Sequence, residues 1–322
     1  MRLAILIVLL APLDSDFLAA GTSAISTPND ISFERESVLR GRTWIHGSSD
    51  CASNLDPAID VYAHDQTTYI LRQNKCLTFE APFIYVLVGE NKVLILDTGA
   101  IEDQADFSLY QSVRSALGPE AIENKMILAV HSHSHSDHYT GDAQLEGEPR
   151  VTLVEPNGDD VKRFFGFKEW PNSEASIELG GRTLIVMPTP GHQEEAITIY
   201  DPQTKWLLTG DTLYPGYIYV KNWGDYKSSI ARLALFSDSH EVSALLGSHI
   251  EMTREPGKYY PIGTVFQPDE AALDLAPDNL RLLNNELQES DEKRVLVFDR
   301  FIVAPMNAFQ RALSNLARWI SQ

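Results

Sequence analysis

HSHSHSDHYTGD, residues 131–142, places His131, His133, His135 and His138 close together, with Asp137 beside the last. Side chains alternate along an extended segment, so a His-x-His pair aims both imidazoles the same way. Two such pairs overlap here, His131/His133 and His133/His135. Composition alone leaves the register open, and a solvated histidine-rich loop is the plain alternative. The rest of the chain has to decide.

One pattern recurs along it. An apolar run rich in β-branched residues ends in Gly, Asp or His: VLILDTG (93–99), MILAVHSH (126–133), LIVMPTPGH (184–192), WLLTGD (206–211) and SALLGSH (243–249). Short apolar runs bounded by turn residues read as buried strands. Each polar residue then falls just past a strand's carboxyl end, where open α/β sheets build their sites. Residues 83–97, FIYVLVGENKVLILD, read as a hairpin turning at Gly89-Glu90-Asn91. Spacing predicts helices over 104–117, with Phe107, Tyr110, Val113 and Leu117 on one face, and over 227–236, with Ile230, Leu233 and Leu235 or Phe236 inward. Past about residue 265 the tail predicts a helix near 278–289, a strand near 294–303 and a helix over 306–320. In that last helix Met306, Phe309, Leu313, Leu316 and Ile320 form a stripe expected to be buried.

His133-Ser134-His135-Ser136-Asp137-His138 fits His-x-His-x-Asp-His, and downstream come Gly191-His192, Gly210-Asp211 and Gly247-Ser248-His249, each after an expected strand. Upstream lies Leu96-Asp97-Thr98-Gly99. In these motifs and their order the chain resembles the metallo-β-lactamase-fold hydrolases over roughly residues 80–252. The resemblance implies an α/β fold, a four-layer αββα sandwich, here with an N-terminal extension and a C-terminal αβα cap. It implies two metals: His133, His135 and His192 on one, Asp137, His138 and His249 on the other, and Asp211 between them. Zinc suits imidazole and carboxylate ligands, with iron or manganese the alternatives. His131 falls outside the motif and reads as a strand-end or supporting residue. His46, His64 and His240 lack a matching context, Asp97 reads as a support for the ligand loop, and Glu194 and Glu195 have no assigned role.

The chemistry implied is hydrolysis of an acyl bond by hydroxide held between two metals, with Asp137 orienting the water and accepting its proton. By resemblance, true zinc β-lactamases carry Cys or Ser where Asp211 stands. A lactone, ester, thioester or lactam is therefore the expected small-molecule acyl substrate. A β-lactamase-type amide hydrolase, or a metal-binding or redox member without hydrolase activity, are the alternatives. LYPGYIYV (213–220) and FFGFKEW (164–170) offer pocket residues, with Tyr214 first as an oxyanion donor because it is nearest Asp211.

The 322 residues carry a formal net charge of −19 and no Lys/Arg-rich run. Nucleic-acid binding needs a basic footprint, so polynucleotide partners are not expected. At the N-terminus, Arg2 precedes an apolar run from Leu3 to Leu13 and then small residues, the layout of a signal peptide over residues 1–24. The run is too short to span a bilayer, so no stable membrane insertion is expected. Residues 25–322 then form a secreted or periplasmic hydrolase domain, with a C-terminal extension over about 265–322. Cys51 and Cys76 are the only cysteines, and their pairing is left open.

Overall fold

The computed structural model describes residues 37–321 apart from Arg40 and Asp106. The expected signal peptide lies outside the described residues. The first sheet holds β1 (Ile59–Ala63), β2 (Thr68–Gln73), β3 (Phe83–Val88), β4 (Lys92–Leu96), β5 (Met126–Val130) and β6 (Val151–Leu153), side by side in that order. Helices α1 (Leu109–Leu117) and α2 (Pro119–Glu123) join β4 to β5. The crossover makes β4 and β5 parallel, so both strands end at the same edge. Past that edge come the short α3 (Ser136–Tyr139), and later α4 (Gly158–Phe165). The second sheet runs β13-β12-β10-β9-β8-β7: β7 (Ala175–Glu178), β8 (Thr183–Pro188), β9 (Ile197–Asp201), β10 (Trp206–Gly210), β12 (Ala244–Gly247) and β13 (Asp274–Leu275).

Alternation explains the layers. Leu94 and Leu96 of β4, with Leu128 and Val130 of β5, pack between the sheets against Leu184, Val186, Ile199 and Leu208. Their neighbours Val93, Ile95, Ile127 and Ala129 point the other way, onto Val113 of α1 and Ile122 of α2. Strands covered on both faces must be apolar at every position, hence the unbroken runs. On the far side, Leu207 and Leu245 pack against Ile230, Leu233 and Phe236 of α5 (Trp223–Ser239) and Leu280 and Leu283 of α6 (Pro277–Glu289). This is the αββα sandwich. Each fully buried aliphatic side chain contributes ~2 kcal/mol against exposure. The Tyr85 hydroxyl donates to the Gly247 carbonyl at 2.5 Å and the Phe83 amide to the Ser248 carbonyl at 2.8 Å, pinning the two sheets together beside the site.

The structure moves several expected boundaries. The helix expected over 104–117 begins only at Leu109, because the Ser108 side chain accepts from the Gln111 amide and caps it there. The helix expected over 227–236 extends to Trp223–Ser239, capped by Asn222; Phe236 faces inward and Leu235 outward. The single strand expected near 294–303 is a hairpin, β14 (Leu296–Val297) and β15 (Ile302–Pro305), closed by Phe298 stacked on Phe301. The cap is thus helix, two strands and helix rather than αβα, and β15 pairs with β11 (Tyr217–Val220) in a third, small sheet. The last helix, α7 (Ala308–Ser321), does not bury the expected stripe: Phe309 is 67% and Leu316 48% exposed, while the buried Met306 precedes the helix.

Beyond the sandwich, a disulfide joins Cys51 to Cys76. It ties the segment ahead of β1 to the loop after β2. Among the described residues no helix is long and apolar enough to cross a membrane.

Candidate metal centre

Five loops meet past the strand ends, and each reaches the site for a local reason. Asp97 follows β4 with φ +66°, a left-handed turn that few non-glycine residues adopt. Its buried carboxylate accepts from the Ser132 amide at 2.7 Å, the Ser132 hydroxyl at 2.9 Å and His138 Nδ1 at 2.9 Å. That fan of contacts shapes the histidine loop after β5. Gly210, just ahead of Asp211, has φ +51°, and a Cβ there would sit 2.5 Å from the Ser132 Cβ. Only glycine lets these two loops close on one another.

The arrangement answers the register question. His133, His135, His192 and Asp211 offer ligand atoms that all lie within 4.8 Å of one another, and so do Asp137, His138 and His249. Asp211 stands between the groups. Its Oδ2 is 3.8 Å from His133 Nε2 and 3.6 Å from His192 Nε2. Its Oδ1 is 3.7 Å from His138 Nε2 and 3.6 Å from His249 Nε2. Asp137 Oδ2 lies 3.2 Å from both His138 Nε2 and His249 Nε2. Four ligands ~2.0–2.1 Å from one zinc ion stand ~3.3 Å apart, so the spacing fits. The chemistry fits too. His133 Nε2 and Asp211 Oδ1 are buried atoms with no hydrogen-bond partner, a costly state unless something else satisfies them. The cluster is compatible with a metal centre.

His131 lies outside it. Its Nδ1 meets the Val154 carbonyl and its Nε2 the Asp142 carboxylate, both at 2.9 Å. Burial works against its charge, but Asp142 outweighs burial and raises its pKa. His46, His64 and His240 also stay apart: His46 holds the Trp44 carbonyl, His64 packs on Trp206, and His240 stacks on Phe236. Glu195 accepts from the Ser134 hydroxyl and Glu194 pairs with Lys221 at 2.9 Å. His192 Nδ1 donates to the Tyr219 carbonyl at 2.7 Å. Tyr214 is buried next to His249, and its hydroxyl bonds to Glu251 Oε2 and the Tyr217 carbonyl. Those contacts engage the proton that an oxyanion would need. Phe165, Phe167 and Trp170 of the FFGFKEW stretch are partly buried and pack against the core between the sheets.

Comparison with known proteins places the chain in a family. A family model described as the metallo-beta-lactamase superfamily matches residues 77–263, more than half of the chain. The chain belongs to the metallo-beta-lactamase superfamily. Among relatives, the protein named acyl-coenzyme A thioesterase MBLAC2 of Gallus gallus is 24% identical over 202 residues, 52% of this chain and 72% of that protein. The protein named hydroxyacylglutathione hydrolase of Bartonella tribocorum is 29% identical over 83 residues, 26% of this chain and 32% of its own. Both relatives carry the names of hydrolases. A solved structure described as a metallo-beta-lactamase from Pontibacter korlensis covers 72% of this chain and 100% of its own, at 16% identity and a TM-score of 0.48.

Within this superfamily frame, several contributors escaped the sequence reading. Ser132, Gln193, Lys221 and Glu80 all touch ligands or their neighbours, and none belongs to the motif. Gln193 had one readable signal, its place directly after His192.

Proposed function

We propose that this chain is an exported metal-dependent acyl hydrolase that holds two zinc ions. The observation that carries the reading is the convergence of six donors around Asp211, with His133 Nε2 and Asp211 Oδ1 buried and lacking protein partners among the described residues. His133, His135 and His192 would hold one ion, Asp137, His138 and His249 the other, and Asp211 would serve both. Bound there, two divalent ions supply Lewis acidity and acidify water to a pKa of ~7.

The chain's own groups do the rest. Four histidines reserve Nε2 by giving Nδ1 a fixed neighbour: His133 the Ser132 hydroxyl, His138 Asp97, His192 the Tyr219 carbonyl and His249 the Glu80 carbonyl. Such outer partners fix the tautomer and raise ligand basicity. Burial works against the Asp137 carboxylate, but His138 and His249 outweigh it and hold its pKa well below the usual range. It stays ionised at neutral pH, able to orient a water and accept its proton. Burial likewise opposes the charge on Asp211, and His249, His138 and His133 overcome it.

For substrate we favour a thioester, ester or lactone of small size, with the thioester first because the relatives are named thioesterase and hydroxyacylglutathione hydrolase. Asp211 in place of the Cys or Ser noted above sets β-lactams second. Export rests on the composition of residues 1–24 and on the Cys51–Cys76 disulfide, which suits an oxidising compartment. One purified sample tests the reading: elemental analysis beside a panel of thioesters, esters, lactones and β-lactams. Two zinc ions per chain with thioester, ester or lactone turnover is the expected result. One ion or fewer after zinc reconstitution, or two ions with no turnover on the panel, would overturn it.

A further inference from the structure

Five histidines converge on the site, and one is wired differently from the rest. His133, His138, His192 and His249 each turn Nδ1 to an oxygen and Nε2 to the centre. His135 does the reverse. Its Nδ1 lies 3.1 Å from His192 Nε2, inside the cluster, and its Nε2 points outward to the Gln193 side-chain amide at 2.5 Å. To offer Nδ1 as a ligand, this ring must carry its proton on Nε2, and that proton needs an acceptor. Among the described residues, the hydrogen-bond neighbour of Nε2 is Gln193.

We propose that Gln193 is the positioning residue that sets the His135 tautomer, and that the C-terminal helix α7 holds it in place through Ser314. The inference rests on the metal-centre reading above. An amide suits the task because its two ends are a donor and an acceptor, exchanged by a half-turn about its last bond. In the arrangement described, Gln193 Nε2 faces His135, and Gln193 Oε1 accepts from the buried Lys221 ammonium at 3.3 Å. A ring proton on Nε2 would put two donors face to face. Turning the amide presents Oε1 to the His135 N–H. Ser314, 3.2 Å from the same end of the amide, then donates its hydroxyl to that oxygen instead of accepting from it. Lys221 keeps its other partner, Glu194, at 2.9 Å. The turned NH2 end then faces the Lys221 ammonium, donor to donor, so the turn comes with Lys221 moving off Gln193 and onto Glu194 alone.

Ser314 matters for another reason. It lies beyond residue 263, where the match to the superfamily ends. It is buried, while Phe309 and Leu316 of the same helix are exposed. The contact thereby links the C-terminal segment to a metal-ligand neighbour.

The test is metal binding rather than turnover. Full-length protein, stripped of metal, is titrated with Zn²⁺ against a chromogenic chelator, for native, Gln193→Met, Gln193→Glu, Ser314→Ala and His135→Ala chains. Gln193→Met keeps the shape but offers no acceptor, and it should weaken binding at the three-histidine site about 10–100-fold, the range for loss of an outer partner. Gln193→Glu accepts from both His135 and Lys221 and should bind close to native. A merely structural Gln193 would not distinguish the two. Ser314→Ala should fall between native and Gln193→Met. In Co²⁺-loaded native protein the His135 Nε2–H should appear as a slowly exchanging, paramagnetically shifted proton resonance, a readout that needs no variant. Absence of that resonance, Gln193→Met binding like native, or Gln193→Glu binding as poorly as Gln193→Met would each overturn the proposal. If native protein binds no Zn²⁺, or His135→Ala binds like native, the metal-centre reading fails instead.

Discussion

His133, His135 and His192 stand on one side of Asp211, and Asp137, His138 and His249 on the other. Burial acts on both groups, but in different company. In the first it dominates: it lowers the pKa of His133 and His192 and takes His135 down to about 3, with neighbouring histidines adding to the effect. Those rings are neutral across the physiological range. In the second, burial is outweighed by carboxylates. Asp137, Asp97 and Asp211 raise the pKa of His138 well above its ordinary value, and Asp211 and Asp137 lift His249 to about 9. One half of the cluster is therefore ready for a cation at pH 7, while the other must first release protons. Metal affinity in such a site depends on pH because ligand and proton compete for one lone pair.

The comparison breaks most completely at Asp211, the residue both halves share. Asp211→Ala removes an oxygen from each group and the charge between them. Both ions should be lost together, and turnover should fall by well over the ~100-fold that loss of an outer support causes. Elemental analysis beside hydrolysis checks this. Retention of either ion at native occupancy would mean the halves do not depend on Asp211.

Next in size is Asp137→Asn, confined to the second half. The amide keeps one ligating oxygen but loses the charge and the proton acceptor. Much of the metal should remain, and turnover should drop at least ~100-fold, within the range of general-base contributions. Undiminished turnover with both ions present would remove Asp137 from the chemistry.

These site positions were legible because strands were. Each of these residues follows a run that is apolar on both faces or lies in the loop after one, and Gly191 and Gly210 mark where a loop must approach another closely. What stayed hidden has a physical reason. The hairpin of β14 and β15 turns on four residues, Phe298 to Phe301, that stack on themselves, so no Gly or Pro announces it. The partners of Nδ1 on His192 and His249 are backbone carbonyls of Tyr219 and Glu80, and a carbonyl carries no side-chain signature. The exposure of Phe309 and Leu316 depends on what lies beside α7, which the three-and-four spacing does not encode.

A third outcome sharpens the proton difference, in the metal-free protein. His249 rises from 6.5 to about 9 on folding. A raised pKa stabilises fully below the unfolded value and is lost as pH climbs through the folded one. Its contribution, on the order of 3 kcal/mol, should fade between pH 6.5 and 9. His135, depressed to about 3, does the opposite: its folded neutral form is penalised as pH falls below 6.5. The melting temperature of metal-free protein should therefore decline on both sides of about pH 6.5. His249→Gln should flatten chiefly the alkaline limb, where it departs from native. Saturating Zn²⁺ should flatten that limb, since it binds the neutral ring. An alkaline limb unchanged in His249→Gln would show that the second half does not hold its proton as described.

The smallest effect is expected at Tyr214, next to the second half but not part of it. Burial, with Glu251 beside it, raises the phenol's pKa well above its ordinary value, so it is a neutral donor at any working pH. Its two bonds, to Glu251 at 3.3 Å and to the Tyr217 carbonyl at 3.2 Å, are long. Glu251 also receives the Tyr217 amide at a shorter 2.7 Å and so stays partnered when the hydroxyl goes. Tyr214→Phe should cost ~1 kcal/mol of stability, the net worth of an ordinary hydrogen bond, and turnover should change by less than about tenfold. An oxyanion donor would behave otherwise, because its removal costs ~100-fold or more. Denaturant melts and hydrolysis at matched metal content separate the two. A stable Tyr214→Phe protein with full metal and a hundredfold loss would mean that the hydroxyl leaves Glu251 when substrate binds, and the boundary of the reacting half would then have to be redrawn to include it.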